Sequence, residues 1–163
     1  MTNHETYMAK AIEEAHAAAR DGDAPTAAII VQAGAVLATG RNTKTSDQSG
    51  FAHAELNALL AAKRLLGRRP DGCVLYATLE PCAMCLGAIT FAGIRTVVYG
   101  ARDPEGGAVA LFRQHPAYRT WMPNVIGPIL ETQCEALKQL PTSGRGKRNG
   151  ESRSTPNATE STR

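Results

Sequence analysis

Apolar side chains recur first at a helical interval. Tyr7, Ala11, Ile12, Ala15 and Ala19 repeat along one side of a 3.6-residue period, so residues 4–20 are expected to form an amphipathic helix. Thr2-Asn3-His4-Glu5 has the spacing of a capping box at its start, and Asp21-Gly22-Asp23 ends it. The pattern then changes. Residues 27–31 and 36–39 are short apolar runs separated by Ala33-Gly34, which predicts a hairpin. Residues 41–50 are polar and read as a loop. From His53 onward Leu56, Leu59, Leu60, Lys63 and Leu66 restore the helical period, closed by Gly67, and Arg68-Arg69 reads as a solvated turn. Residues 73–79 are a buried strand, Pro81 opens a helix reaching about Ala92, and residues 96–100 are another strand. Strand, helix, strand with so short a crossover implies parallel pairing. A loop with Gly106-Gly107, a short helix over 109–114, a fifth strand near 125–130 and a last helix to about Leu140 complete the order. The expected class is α/β: a mixed five-stranded sheet covered on both faces, a three-layer α/β/α sandwich. No internal repeat is present.

Composition sharpens this picture in two places. A chain of 163 residues with 43% hydrophobic side chains fits one cored domain, taken as residues 1–140. From Pro141 the run Pro-Thr-Ser-Gly-Arg-Gly-Lys-Arg-Asn-Gly lacks the apolar content to fold, so 141–163 is expected to be a disordered basic tail. The net charge of +3 belongs wholly to that tail. Residues 1–140 carry 13 Lys/Arg against 13 Asp/Glu, and residues 141–163 carry 5 against 2. A neutral folded part gives no support for a broad nucleic-acid surface. No apolar run is long enough to cross a bilayer and the polar start is no signal peptide, so a cytoplasmic location and no membrane partner are expected.

The four cysteines belong to a different argument from a disulfide framework, which a chain with this core does not need. Cys82 and Cys85 stand three residues apart at a helix start, where both sulfurs can face one point and the helix dipole favours thiolates. His53 starts the preceding helix, and its ring meets the same point if the two helix N-termini lie side by side. Two thiolates and one imidazole are a zinc donor set that leaves the fourth tetrahedral position open to water, the mark of a catalytic rather than a structural Zn²⁺. Such a formally neutral centre acidifies water weakly, so a base must help. Glu55, two residues past His53, is placed to take the proton and return protons to a ring nitrogen and a departing amine. Two other readings stand beside this one. Cys73 or Cys134 as a fourth ligand would close a structural zinc site, although both lie in apolar runs where a buried inert thiol is usual. A redox Cys-x-x-Cys pair would not require the histidine and glutamate. His4, His16 and His115 read as surface or loop residues.

The order His-x-Glu followed by Pro-Cys-x-x-Cys resembles the zinc nucleobase deaminases. Over roughly residues 5–140 the chain is similar to the cytidine/deoxycytidylate deaminase superfamily, in the branch of tRNA-specific adenosine deaminases, guanine deaminases and fungal-type cytosine deaminases. The run Thr78-Leu79-Glu80-Pro81-Cys82-Ala83-Met84-Cys85-Leu86-Gly87-Ala88-Ile89 carries that likeness. The resemblance implies the cytidine deaminase-like fold, a Zn²⁺ cofactor, an Asn42 side chain and an Ala54 backbone N–H on the base, and a homodimer packed through helices near the site. Asn42 also reads as ordinary turn chemistry after Gly40-Arg41. Phe51 either packs on the base or staples the helix start.

Substrate is less closely specified. The family's first strand usually runs Pro, apolar, Gly, then Ala or Gly, whereas this chain has Pro25-Thr26-Ala27-Ala28, so Thr26 adds a hydroxyl to the pocket. Against a tRNA substrate stand the neutral domain, the helix ending Leu137-Lys138-Gln139-Leu140-Pro141 and the loop Gly107-Ala108-Val109-Ala110. For it stand Leu79-Glu80 before Pro81 and Gly100-Ala101-Arg102-Asp103, and a basic tail is able to bind RNA. Glu80 is taken as a substrate-side residue. The leading expectation is a zinc hydrolase deaminating a small-molecule nucleobase, nucleoside or related heterocycle. The alternatives are the wobble-adenosine deaminase of tRNA and a zinc-stabilised binding protein without activity.

Overall fold

The structure is a computed structural model that describes residues 3–66 and 70–142. Thr2 of the expected capping box, the Gly67 stop, the Arg68-Arg69 turn and positions 143–163 of the expected tail lie outside the described residues. The element order is α1 (Asn3–Arg20), β1 (Ala27–Gln32), β2 (Ala35–Arg41), α2 (Ala54–Ala62), β3 (Val74–Leu79), α3 (Ala83–Ala92), β4 (Thr96–Ala101), α4 (Val109–Gln114), β5 (Asn124–Ile126) and α5 (Glu131–Leu137). The five strands form one sheet in the order β2-β1-β3-β4-β5. The β1 strand runs antiparallel to both β2 and β3, and β3, β4 and β5 run parallel. The mixed sheet is therefore the expected one. Between β1 and β2, Ala33 and Gly34 both have positive φ (49° and 82°), the turn whose twist matches a two-residue hairpin.

Alternation along the strands builds the two cores. Ala28, Ile30, Leu75, Ala77 and Val97 turn to one face and meet Ala54, Ala58, Ala62 and Ile89 of α2 and α3. Ile29, Val31, Tyr76 and Val98 turn to the other and meet Tyr7, Met8 and Ala11 of α1 with Cys134 of α5. Strand pairs buried on both faces read as near-continuous apolar runs, which is why 27–31 and 73–79 show no polar alternation. Close approach of α2 to the sheet depends on Gly40. A Cβ there would collide with the Ala54 carbonyl oxygen and the Ala58 nitrogen. With α2 seated on β2 and α3 following β3, the N-termini of both helices meet near the C-terminal end of the central strand β3.

Four boundaries differ from the sequence expectation. The α2 helix stops at Ala62, and Leu65 and Leu66 both donate their N–H to the Ala62 carbonyl in a turn. Lys63, Arg64 and Leu65 are exposed, so beyond Ala62 only Leu66 still packs on the core. The α3 helix begins at Ala83 rather than Pro81, because Pro81 and Cys82 are tied into extended pairing: Pro81 O accepts the Ala108 N–H and Cys82 bridges Gly107. The fifth strand ends at Ile126, where Gly127 and then Pro128, which has no N–H for the ladder, interrupt it. The last helix spans only Glu131–Leu137. A 3₁₀ turn at Tyr118–Thr120 was not anticipated. His4 is half-buried, with Nδ1 3.0 Å from the Tyr76 hydroxyl, while His16 and His115 are exposed.

Candidate active site

His53 is the N-cap of α2 and Cys82 the N-cap of α3, both in extended backbone with no side-chain cap bond, so their side chains are free to turn outward from the helix starts. Cys85 follows one turn into α3. His53 Nδ1 lies 3.8 Å from Cys82 Sγ and 3.6 Å from Cys85 Sγ, and the three donor atoms all fall within 4.8 Å of one another. A tetrahedral Zn²⁺ with bonds of about 2.3 Å to sulfur and about 2.0–2.1 Å to nitrogen holds N and S about 3.6 Å apart. The two edges from His53 Nδ1 already have about that length. Among the described residues no fourth His, Cys, Asp or Glu joins it. Cys73 sits at the opposite end of β3, and Cys134 packs on the other face of the sheet. Burial raises both thiols, Cys134 to about 12, as expected of inert core cysteines.

Protonation in the site fits a bound cation. Burial, then the charge of Lys44, lowers the His53 pKa and keeps the ring neutral, the form that ligates. Burial, then Glu55 and Cys82, pushes the Cys85 thiol far up. Glu55 is 9% exposed; burial raises its carboxyl against its own backbone N–H and the Cys85 thiol, both of which lower it. The buried Cys85 thiol and the Glu55 carboxyl beside it resist ionising together unless a positive ion stands next to them. The residues present therefore fit Zn²⁺, with Glu55 against Cys85 but outside the donor triangle.

A cleft of about 190 Å³ opens over this corner. His53, Glu55 and Cys82 line it. Asn42, Ala54, Thr26 and Glu80, all expected at the substrate, also line it. Phe51 does not: its ring is 74% exposed and outside the lining. Asn42 is buried, its Oδ1 accepts the Lys44 N–H (3.1 Å), and its own N–H donates to Thr26 O (3.0 Å). The Glu80 carboxylate receives two backbone N–H groups, Val109 at 3.2 Å and Asp103 at 3.3 Å, tying the loop after β4 to the turn that carries Cys82. Gly107 makes room for it, since a Cβ there would stand 2.6 Å from Glu80 Cδ.

Sequence reasoning missed Lys44 and Asp103, which also line the cleft, and Asp23, which holds the loop of Asn42. In the sequence Asp23 stands out only as part of a helix stop. The local signal was a second acidic residue after Gly22, next to a loop rich in Thr and Ser.

Family comparison agrees with this geometry. A model of the MafB19-like deaminases matches residues 2–131. The chain belongs to the MafB19-like deaminase family. Its fold is cytidine deaminase-like, and the enzyme is a hydrolase of C–N bonds. The tRNA-specific adenosine deaminase of Bacillus subtilis (strain 168) is 43% identical over 141 residues, 84% of this chain and 87% of that one. The guanine deaminase of the same organism is 42% identical over 105 residues, 63% of this chain and 67% of its own length. A solved structure from studies of A-to-I editing by tRNA:A34 deaminases superposes with a TM-score of 0.74 at 36% identity, covering 81% of this chain and 98% of that one. Among the described residues no helix is long and apolar enough to cross a membrane.

Proposed function

We propose that this deaminase is zinc-dependent and removes the exocyclic amine from an aromatic nitrogen ring of a nucleobase or nucleoside, with water as co-substrate and ammonia as product. The observation that carries the reading is the convergence of His53, Cys82 and Cys85 beside the Glu55 carboxyl. His53, Cys82 and Cys85 would hold the Zn²⁺, which when bound supplies Lewis-acid activation of water. Glu55 then does the proton work. Its carboxylate takes a proton from the attacking water, delivers one to the ring nitrogen next to the reacting carbon, and carries the second to the amine as the C–N bond breaks. Its raised pKa suits a group that must both take and return protons. Asn42 orients the ring. The Lys44 N–H has only a proton to offer, so the amide atom facing it is Oδ1 and the NH₂ group is left to donate into the cleft. The substrate accordingly presents an acceptor, a ring nitrogen or carbonyl, at that position. The uncapped first turn of α2 offers the Ala54 N–H as a second donor.

A second reading places the ring in a tRNA, as an extruded adenosine. Likeness to a tRNA-specific adenosine deaminase over 84% of the chain favours it, against likeness to guanine deaminase over 63%. Ammonia release from guanine, cytosine, adenine, their nucleosides and a tRNA anticodon hairpin separates the two. Turnover of free rings supports the first reading, and turnover of the hairpin alone supports the second. Zinc bound without ammonia from any of them overturns both in favour of a binding protein. The enzyme is also proposed to be a homodimer, with the exposed Leu60, Phe91, Leu111 and Trp121 as its contact face. Sedimentation of wild type as a dimer and of Phe91→Asp as a monomer is the expected result.

A further inference from the structure

Four residues that line the cleft beside the metal corner come from two loop segments rather than from secondary structure. Ala24 and Thr26 come from the α1–β1 connection, and Asn42 and Lys44 from the β2–α2 connection. Loops of this kind are the first part of a fold to open, so something must fix them if they are to orient a ligand. Two anchors close the segments onto each other. At one end the Asn42 N–H donates to Thr26 O at 3.0 Å. At the other stands Asp23, 1% exposed, with no cation facing it among the described residues. Its Oδ1 accepts the N–H groups of Thr45 (2.6 Å) and Ser46 (3.2 Å), and its Oδ2 accepts the Ser46 hydroxyl (2.6 Å). Burial alone raises the carboxyl, but the Ser46 hydroxyl and the two amides outweigh it and hold the pKa below the ordinary value.

The turn strung between these anchors is the one in which Asn42 Oδ1 meets the Lys44 N–H. A third contact approaches from the helix of the catalytic residues: the Asn57 amide on α2 donates to Arg41 O at 2.7 Å and Thr43 Oγ1 at 2.9 Å. Loop and metal helix are thus referenced to each other on both flanks of Asn42. A buried carboxylate is costly unless hydrogen bonds compensate it, and the bonds to Asp23 all come from the loop it anchors. Its position is explained by what it holds.

We infer that Asp23 is a positioning residue for substrate: its buried carboxylate fixes residues 45 and 46 and so sets the direction in which the Asn42 amide donates into the cleft. The inference rests on the cleft being the substrate site. Asp23 touches neither the metal donors nor Glu55, so its loss acts on binding geometry and leaves proton transfer and metal content in place. The Asp23 carboxylate bonds only to Thr45 and Ser46 and is not among the three donors, so zinc content serves as an internal control.

The test compares wild type, Asp23→Ala, Asp23→Asn and Ser46→Ala, each assayed for zinc content, for kcat and KM on whichever ring the ammonia panel identifies, and for amide exchange at Thr45 and Ser46. Asp23→Ala is expected to raise KM about tenfold with kcat within about twofold, to keep its zinc, and to speed exchange at both amides. Asp23→Asn retains an acceptor for the amides and should recover part of the KM. Faster exchange with an unmoved KM would overturn the inference, as would a fall in kcat and zinc together, which marks a purely structural residue. Should Asp23→Ala fail to fold, Ser46→Ala, which removes one hydroxyl from an exposed residue, reads the same KM and exchange. An unmoved KM there, with Ser46 exchange accelerated, overturns it equally. A wild type that turns over no substrate would sink the functional reading instead, and the exchange data would still support or overturn the Asp23 anchor.

Discussion

At the scale of single residues, burial decides which ionisable groups do chemistry and which hold the fold. Asp23 and Glu55 are both buried carboxyls, yet they shift in opposite directions. Asp23 is surrounded by donors, and Glu55 by thiols that offer little. The Asp23 pKa is lowered in the folded state, so its contribution to stability is full above the unfolded value of about 3.9 and is lost as the pH falls through the folded value. The urea midpoints of wild type and Asp23→Asn should therefore differ at neutral pH and draw together below about pH 4. A gap that widened with acid would contradict the assignment. Cys134 illustrates the opposite kind of residue. Its thiol sits on the far side of the sheet with its pKa raised to about 12 by burial and then Glu135, so Cys134→Ala should cost about 1–2 kcal/mol and leave one zinc per chain by elemental analysis. Loss of the metal would revive the closed structural site.

Elements place these residues, and they were legible from the sequence wherever a periodic apolar face continued. The α1 helix and the four longer strands lie within two residues of the expected bounds. The α2 helix is shorter than its pattern because Lys63 and Leu66 keep helical spacing after the helix itself has ended at Ala62. Spacing is visible in a sequence; what a side chain packs against is not. Cys82 as an N-cap was hidden for a related reason, since its pairing with Gly107 joins positions 25 residues apart. The close approach of α2 to β2 through Gly40 leads to a third prediction. Gly40→Ala should destabilise the fold by about 1–3 kcal/mol through overpacking. Because the same contact sets the height of His53, it should also weaken zinc retention under mild chelation. Glu80→Gln should act on the other wall. It removes a charge from two backbone acceptor bonds and is expected to lower stability by about 1–2 kcal/mol, read as a lower melting temperature, with zinc retained.

For the whole molecule, the sheet brings two helix N-termini together near the C-terminal end of its central strand and leaves much of the cleft beside them to loops. That division explains what the sequence could show. The metal donors and Glu55 lie in two short runs whose spacing alone points to the chemistry, and the structure draws the His53, Cys82 and Cys85 donors within 4.8 Å. The rest of the cleft draws on residues 24, 26, 42, 44 and 103, scattered over 80 positions, and no local pattern links them. Phe51, adjacent to the motif in sequence, points to solvent for the same reason: nearness along the chain says little about the far side of a helix cap.

The central claim is that three side chains hold the metal while a fourth, unligated, moves protons. Ammonia release by Glu55→Gln, measured beside its zinc content, tests it most directly. The account predicts one zinc per chain, as in wild type, with turnover reduced by about 10²–10⁴-fold. A variant that loses its zinc, or one that keeps both zinc and wild-type turnover, would contradict it.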